Sequence, residues 1–204
     1  MIEGLPKNKF EFKYSNIAPD VIKSLQVLKR TGWVKRGVEN PESVYEHIVA
    51  SRDLVVSEMD SLDEFSLKDK EEILDMLEIH DWAESDPKVG DQVVLKNNPD
   101  REALRKKKFL LEFQAMIKIC GKLGDKGKRI LELWQKFENR KDKASLFAGQ
   151  VDKLQSIEKA FEYEQDGEKV STQQFIDEYE EIIVHPVLVK RLQVLKKKLA
   201  DIHK

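Results

Sequence analysis

Apolar side chains recur at every third or fourth position along almost the whole chain, and the strict alternation that marks a half-buried strand is scarce. That period belongs to amphipathic helices, so the sequence predicts an all-α fold. A first helix runs from Pro19 to Leu28 with Ile22, Leu25 and Leu28 on its buried side, and Thr31-Gly32 interrupts it. A loop over Thr31 to Asn40 follows. Asn40 then stands as a cap, Pro41 and Glu42 open a first turn, and the helix carries His47 toward Met59. Ser66-Leu67-Lys68-Asp69 reads as the capped start of a buried helix with Ile73, Leu74, Leu77 and Ile79, ending near Trp82 or Glu84 before the breakers Asp86-Pro87 and Gly90-Asp91. Helices are further predicted over Asp100 to Cys120, Arg129 to Asn139 after a turn from Gly121 to Gly127, Lys143 to Tyr163, Thr172 to His185, and Pro186 to His203. The sum is a bundle of seven or eight helices.

At 204 residues, of which 40% are hydrophobic, the chain can bury one sizeable core. We expect one domain over residues 19–204 preceded by an N-terminal extension, residues 1–18. The 36 Lys and Arg balance 38 Asp and Glu, so the basic excess of a dedicated nucleic-acid binder is absent and nucleic acid is not an expected partner. Apolar runs fall short of the roughly 20 residues that span a bilayer, and Met1 to Tyr14 lacks the apolar stretch of a secretory signal, which predicts a soluble, cytoplasmic protein. The single Cys120 has no intrachain disulfide partner and fits core packing. Lys106-Lys107-Lys108 and Lys196-Lys197-Lys198 read as solvated helix faces.

Against this background four side chains stand out: His47, the adjacent His80-Asp81, and the distant Asp152. Neutral imidazoles with carboxylates suit a first-row divalent cation that keeps water in its shell, and such an ion makes water nucleophilic at neutral pH. His80 and Asp81 diverge by about 100° on a helix, so both lean toward one ion only if it lies between their two directions, which is feasible near a helix end. Glu84, four residues beyond His80 and three beyond Asp81, lies on the same side, close enough either to support a ligand or to accept a proton.

The stretch from Leu28 through Arg30, Trp33 and Arg36 to Val38, followed by Pro41-Glu42-Ser43-Val44 and Glu46-His47, resembles the opening of the HD-domain phosphohydrolases, and within them the 5′-deoxynucleotidase branch. Ile79-His80-Asp81-Trp82-Ala83-Glu84 with Val89-Gly90-Asp91, and Ala144 through Asp152-Lys153-Leu154 to Tyr163, are similar to the later blocks of that family in the same order. The resemblance implies that His47, His80, Asp81 and Asp152 hold the metal (Mn²⁺, Co²⁺ or a similar ion). It likewise implies that Glu84 and Asp91 serve catalysis and that Arg30, Trp33 and Arg36 approach the nucleotide. Trp33 has two roles open, stacking a base or plugging its loop onto the core. The spacing from Glu84 to Asp91 is longer than the nucleotidases', so Asp86 stands beside Asp91 as an alternative acid. The continuation Gln92 to Lys96 also differs from the family's.

The implied activity is release of phosphate from (deoxy)nucleoside 5′-monophosphates by way of a metal-bound water. Alternatives are hydrolysis of a cyclic nucleotide or a signalling-nucleotide pyrophosphate, or a non-catalytic metal-binding helical interaction module. Val184, Val187, Leu188, Leu192 and Leu195 form an apolar row that packs inward or across a two-fold, and the resemblance makes a homodimer the expected assembly.

Overall fold

The computed structural model describes residues 12–94 and 98–202; Leu95 and Lys96 of the divergent continuation, His203 and residues 1–11 of the expected extension lie outside them. Among the described residues the chain is all-α, with a lone bridge between Lys29 and Ser43 as the sole extended pairing. The helices are α1 (Pro19–Val27), α2 (Thr31–Val34), α3 (Val44–Ser57), α4 (Leu67–Ile79), α5 (Arg101–Cys120), α6 (Gly124–Asn139), α7 (Lys143–Gln165), α8 (Thr172–Tyr179) and α9 (Pro186–Ile202).

The described residues hold nine helices where seven or eight are expected, and α4 ends at Ile79 rather than near Trp82 or Glu84; four further boundaries differ, each for a local reason. The segment expected as a loop contains the single turn α2, because the Arg30 carbonyl collects the N–H groups of Trp33 and Val34 at 3.0 and 3.2 Å. α3 begins at Val44 rather than Pro41. Ser43, not Asn40, is its cap, in a reciprocal box where Ser43 Oγ accepts the Glu46 N–H at 3.2 Å and Glu46 Oε2 accepts the Ser43 N–H at 2.6 Å. Pro41 and Glu42 are thereby left extended, and the Glu42 carbonyl takes the Arg30 N–H at 3.0 Å. α6 starts at Gly124, inside the stretch expected as a turn. Gly127 lies within that helix, and only glycine fits there because a Cβ would sit 1.9 Å from the Cys120 carbonyl oxygen; its absence permits close approach of the end of α5. α8 stops at Tyr179 instead of His185, since Gln150 Oε1 accepts the N–H groups of both Val184 and His185 at 2.8 Å and turns the chain onto α7.

The core is organised around α7, which packs against α3, α4, α6, α8 and α9. Val151, Leu154, Ile157 and Ala160 have no exposed surface, and the helix is buried on nearly every side, as a central helix must be. α3 and α4 pack on each other as well as on α7, so these three helices form the frame from which the conspicuous histidines and aspartates project. On α9, Leu188, Leu192, Leu195 and Leu199 face inward, whereas Val184, just ahead of the helix, is exposed and Val187 is partly buried, so three of the five residues of the apolar row are core.

The residues leading into α1 are tied to α4. Glu78, fully buried, accepts the backbone N–H groups of Lys13, Tyr14 and Ser15 at 2.7, 2.7 and 2.8 Å, the Ser15 hydroxyl at 3.0 Å, and Arg52 Nη1 at 3.5 Å. A buried carboxylate surrounded by donors in this way is satisfied, where a bare one would be costly.

Candidate metal centre

α3 contributes His47 from its first turn, α4 ends on His80, and α7 brings Asp152 from its middle. One ligating atom each from His47, His80 and Asp152 falls within 4.8 Å of the others, and all three side chains are buried. His47 Nε2 lies 3.2 Å from Asp152 Oδ1 and 3.3 Å from His80 Nε2. Asp81 joins them: its Oδ2 is 3.2 Å from His80 Nε2 and 3.8 Å from His47 Nε2. Two neighbours reach one point because the helix ends between them. His80 is the C-terminal cap of α4, and Asp81 leaves helical geometry before a 3-10 turn over Trp82–Ser85. Trp82 itself is core, with no exposed surface.

The tautomers follow from the partners behind the rings. His80 Nδ1 faces the Leu77 carbonyl oxygen at 2.8 Å, which accepts only, so Nδ1 carries the proton. His47 Nδ1 donates to Gln155 Oε1, whose amide is oriented by its own donation to Glu42 Oε2 at 3.3 Å. Both Nε2 atoms therefore present lone pairs toward each other, flanked by two carboxylates. Such a donor set repels itself unless positive charge lies among the four groups, and it fits a dication with N and O ligands.

The electrostatics agree. Burial would push the Asp152 carboxyl up, yet Lys153, 2.7 Å from Oδ2, together with His47 and His80 holds it well below the usual range. Asp81 is likewise held low against its burial by His80, His47 and Arg30. Burial opposes protonation of His80, but Asp81 and Asp152 outweigh it and raise the imidazole above its ordinary value. The pocket attracts cations, and protons are the competing ones.

Around the quartet the other expected residues divide. Arg30 reaches it: Nη1 is 3.4 Å from Asp81 Oδ2 and Nη2 3.5 Å from Ser156 Oγ, and nearby carboxylates keep the guanidinium charged despite burial. Trp33 takes the packing role. It stacks on Phe175 with centroids 4.8 Å apart, meets Tyr163 edge-on at 5.2 Å, and donates Nε1–H to Glu42 Oε1 at 2.9 Å. Arg36 caps the Gly32 carbonyl at 2.9 Å and covers the Phe175 ring at 4.6 Å, which braces α2 instead of reaching the quartet.

Glu84 is buried, and Oε2 has no hydrogen-bond partner among the described residues. Burial, then the charge of Asp81, pushes its carboxyl well above the usual range. Asp91 Oδ2 accepts the Thr31 N–H and its carbonyl accepts the Thr31 hydroxyl at 2.7 Å, which ties it to the segment that holds Arg30. Asp86 turns the other way, accepting Lys88 N–H and Lys118 Nζ, both at 3.0 Å, and these partners keep its carboxyl low. Lys108 departs from the solvated face expected of its lysine run. It bends inward to within 3.5 Å of Glu84 Oε1 and 3.2 Å of Glu112 Oε1. Its register with Glu112, Ala115 and Met116 on the inner side of α5 is the signal that the lysine run masks.

Comparison with known proteins matches residues 22–188 to the HD domain family. The 5′-deoxynucleotidase HDDC2 of Dictyostelium discoideum is 35% identical over 171 residues, covering 80% of this chain and 86% of that protein. Its Mus musculus namesake is 32% identical over 178 residues, covering 86% and 83%. In fold, a conserved hypothetical protein from Pyrococcus furiosus superposes with a TM-score of 0.71 at 22% identity, over 90% of this chain and 99% of that one.

Proposed function

The chain belongs to the HD domain family, and from that premise we propose that it is a metal-dependent phosphohydrolase releasing phosphate from (deoxy)nucleoside 5′-monophosphates. The observation that carries the reading is the pair of facing Nε2 lone pairs between two ionised carboxylates, a donor set built for a dication. Relatives that share most of their length with this chain bear the name 5′-deoxynucleotidase, which supports the substrate class.

In this reading His47, His80, Asp81 and Asp152 hold the ion, Mn²⁺ or Co²⁺. When bound, it supplies positive charge that acidifies water and offsets charge on the phosphate. The remaining steps belong to the chain. Arg30 offers its guanidinium to phosphate oxygens beside Asp81, and its burial makes that charge count for more than it would in water. Glu84 accepts a proton from the attacking water through Oε2, while Lys108 holds Oε1; its raised pKa makes it a stronger base than a surface carboxylate. The water oxygen bonds to phosphorus as the bond to the 5′ oxygen breaks. The 5′ oxygen leaves with a proton that Asp91, when protonated, would give it, a role for which Asp86 is badly placed because it faces Lys118. Trp33 and Arg36 hold the segment on which Arg30 sits.

Residues 19–204 carry the catalytic machinery in this reading, with Lys13 to Ser15 of the preceding segment bound to Glu78, and the protein works in the cytoplasm as a homodimer without nucleic acid. No helix among the described residues is long and apolar enough to cross a membrane, in keeping with that location. The test is phosphate release from a panel of ribo- and deoxyribonucleoside monophosphates with added Mn²⁺ or Co²⁺. Turnover should depend on the ion and vanish in His80→Ala and Asp81→Asn; turnover that survives both substitutions rejects the scheme.

A further inference from the structure

Behind His47 lies a chain of side chains of which the phosphatase reading uses only Trp33. Gln155 Oε1 accepts the His47 Nδ1–H; Gln155 Nε2 donates to Glu42 Oε2 at 3.3 Å; Glu42 Oε1 accepts the Trp33 Nε1–H at 2.9 Å. Glu42 is also held by its backbone, its N–H donating to the Tyr163 hydroxyl at 2.7 Å and its carbonyl accepting the Arg30 N–H at 3.0 Å. Glu42 and Gln155 are both buried, so none of these bonds is exchanged cheaply for water. Along α7, Asp152, Gln155, Ser156 and Tyr163 fall within one narrow arc at about 100° per residue. A single face of that helix thus meets His47, Glu42 and Arg30 together with the quartet.

We propose that Gln155, fixed by Glu42, is a positioning residue that sets the tautomer and ring plane of His47. Glu42 in turn joins the metal site to the Arg30–Trp33 segment. The carboxylate of Glu42 accepts from two donors and donates to neither, so it dictates which end of the Gln155 amide faces His47. With the amide in that orientation, His47 Nδ1 must carry the proton and Nε2 is left free as a ligand. This inference rests on the metal reading given above and adds to it two residues that touch neither ion nor substrate.

The test compares chelator-stripped parent, Gln155→Leu, Gln155→Glu and Glu42→Gln by Mn²⁺ titration calorimetry, with thermal melting of each metal-free protein as the check on folding. Loss of an outer partner of a metal-bound histidine costs about 10–100-fold in metal affinity, and Gln155→Leu should fall in that range. Glu42→Gln should weaken binding by less, roughly threefold or more, because the amide of Gln155 loses its charged anchor. Gln155→Glu keeps an acceptor for Nδ1–H; its affinity should stay within about tenfold of the parent. A merely structural role would lower melting temperatures and leave affinity alone. If the parent binds Mn²⁺ and a folded Gln155→Leu binds within about twofold of it, the inference fails and the metal reading stands. If Gln155→Leu does not fold, the inference fails equally on Glu42→Gln with unchanged affinity, or on a folded Gln155→Glu that binds more than about tenfold worse. A parent that binds no Mn²⁺ overturns both.

Discussion

His80 takes its orientation from the backbone of its own helix, the Leu77 carbonyl at 2.8 Å, and its own carbonyl accepts the Trp134 Nε1–H at 3.1 Å. His47 is oriented by a side chain 108 residues away, and that side chain leans on Glu42, another 113 residues back along the chain. Two imidazoles that play the same part are thus secured differently, one within a single helical turn and one by the assembled tertiary structure. The local support forms whenever α4 forms. The distant one exists only when α7, the Pro41–Glu42 segment and α2 are all docked, so the His47 half of the site reports on the whole fold and the His80 half on one helix.

That contrast is open to measurement. The largest effect tests whether the two halves are equal once supported: His47→Ala and His80→Ala should each abolish Mn²⁺ binding and phosphate release, a loss well beyond the roughly 100-fold that an outer partner costs. Retention of binding in either variant would mean that one imidazole carries the site alone. Glu84→Gln comes next, lowering kcat by about 10²-fold or more while Mn²⁺ affinity holds within a few-fold, as expected for a proton acceptor outside the ligand set. Acidification acts on His80 through protonation. The raised pKa of His80 means that a proton competes for Nε2 from above its ordinary value downward, so Mn²⁺ affinity should fall by about tenfold per pH unit below that point and level off above it. Calorimetry across pH 5.5 to 8.5 reads the slope; affinity that rises on acidification contradicts the assignment. Trp134→Phe should have the smallest effect, removing one buried hydrogen bond to the His80 carbonyl at a cost of about 1–3 kcal/mol in stability. Metal affinity should hold there, because the ring keeps its Leu77 partner, whereas the matching change behind His47 should not spare it.

What is legible in the sequence follows the same division. The helical period, the box at Ser66 and Asp69, and the grouping of His80, Asp81 and Glu84 are contacts between residues a few positions apart, and local spacing encodes them. Asp152 taken alone is a weak candidate that gains weight from the other three side chains and the resemblance of its block, since an Asp before a Lys on a helix carries no local mark of burial. Glu42 and Gln155 are invisible as partners because nothing near either one specifies the other. Trp33 keeps two roles open until Phe175 and Tyr163, far along the chain, enclose its ring. Lys108 misleads for the opposite reason: two exposed neighbours give it the look of a solvated run, although one turn onward Glu112 lies on the same inward side. Asn40 looks like the better cap because Pro41 suits a first turn, but the Lys29–Ser43 bridge draws that stretch out straight and moves the cap three residues on.

The carboxylate of Glu78 sets a practical limit on trimming this protein. Three amide hydrogens from Lys13, Tyr14 and Ser15 converge on it only two residues before His80, so a chain shortened to begin at Pro19 would leave a buried anion facing Arg52 with most of its donors gone. The damage would surface at the end of α4, where the ligands sit, and a shortened protein that still folded would be expected to lose metal before it lost helix.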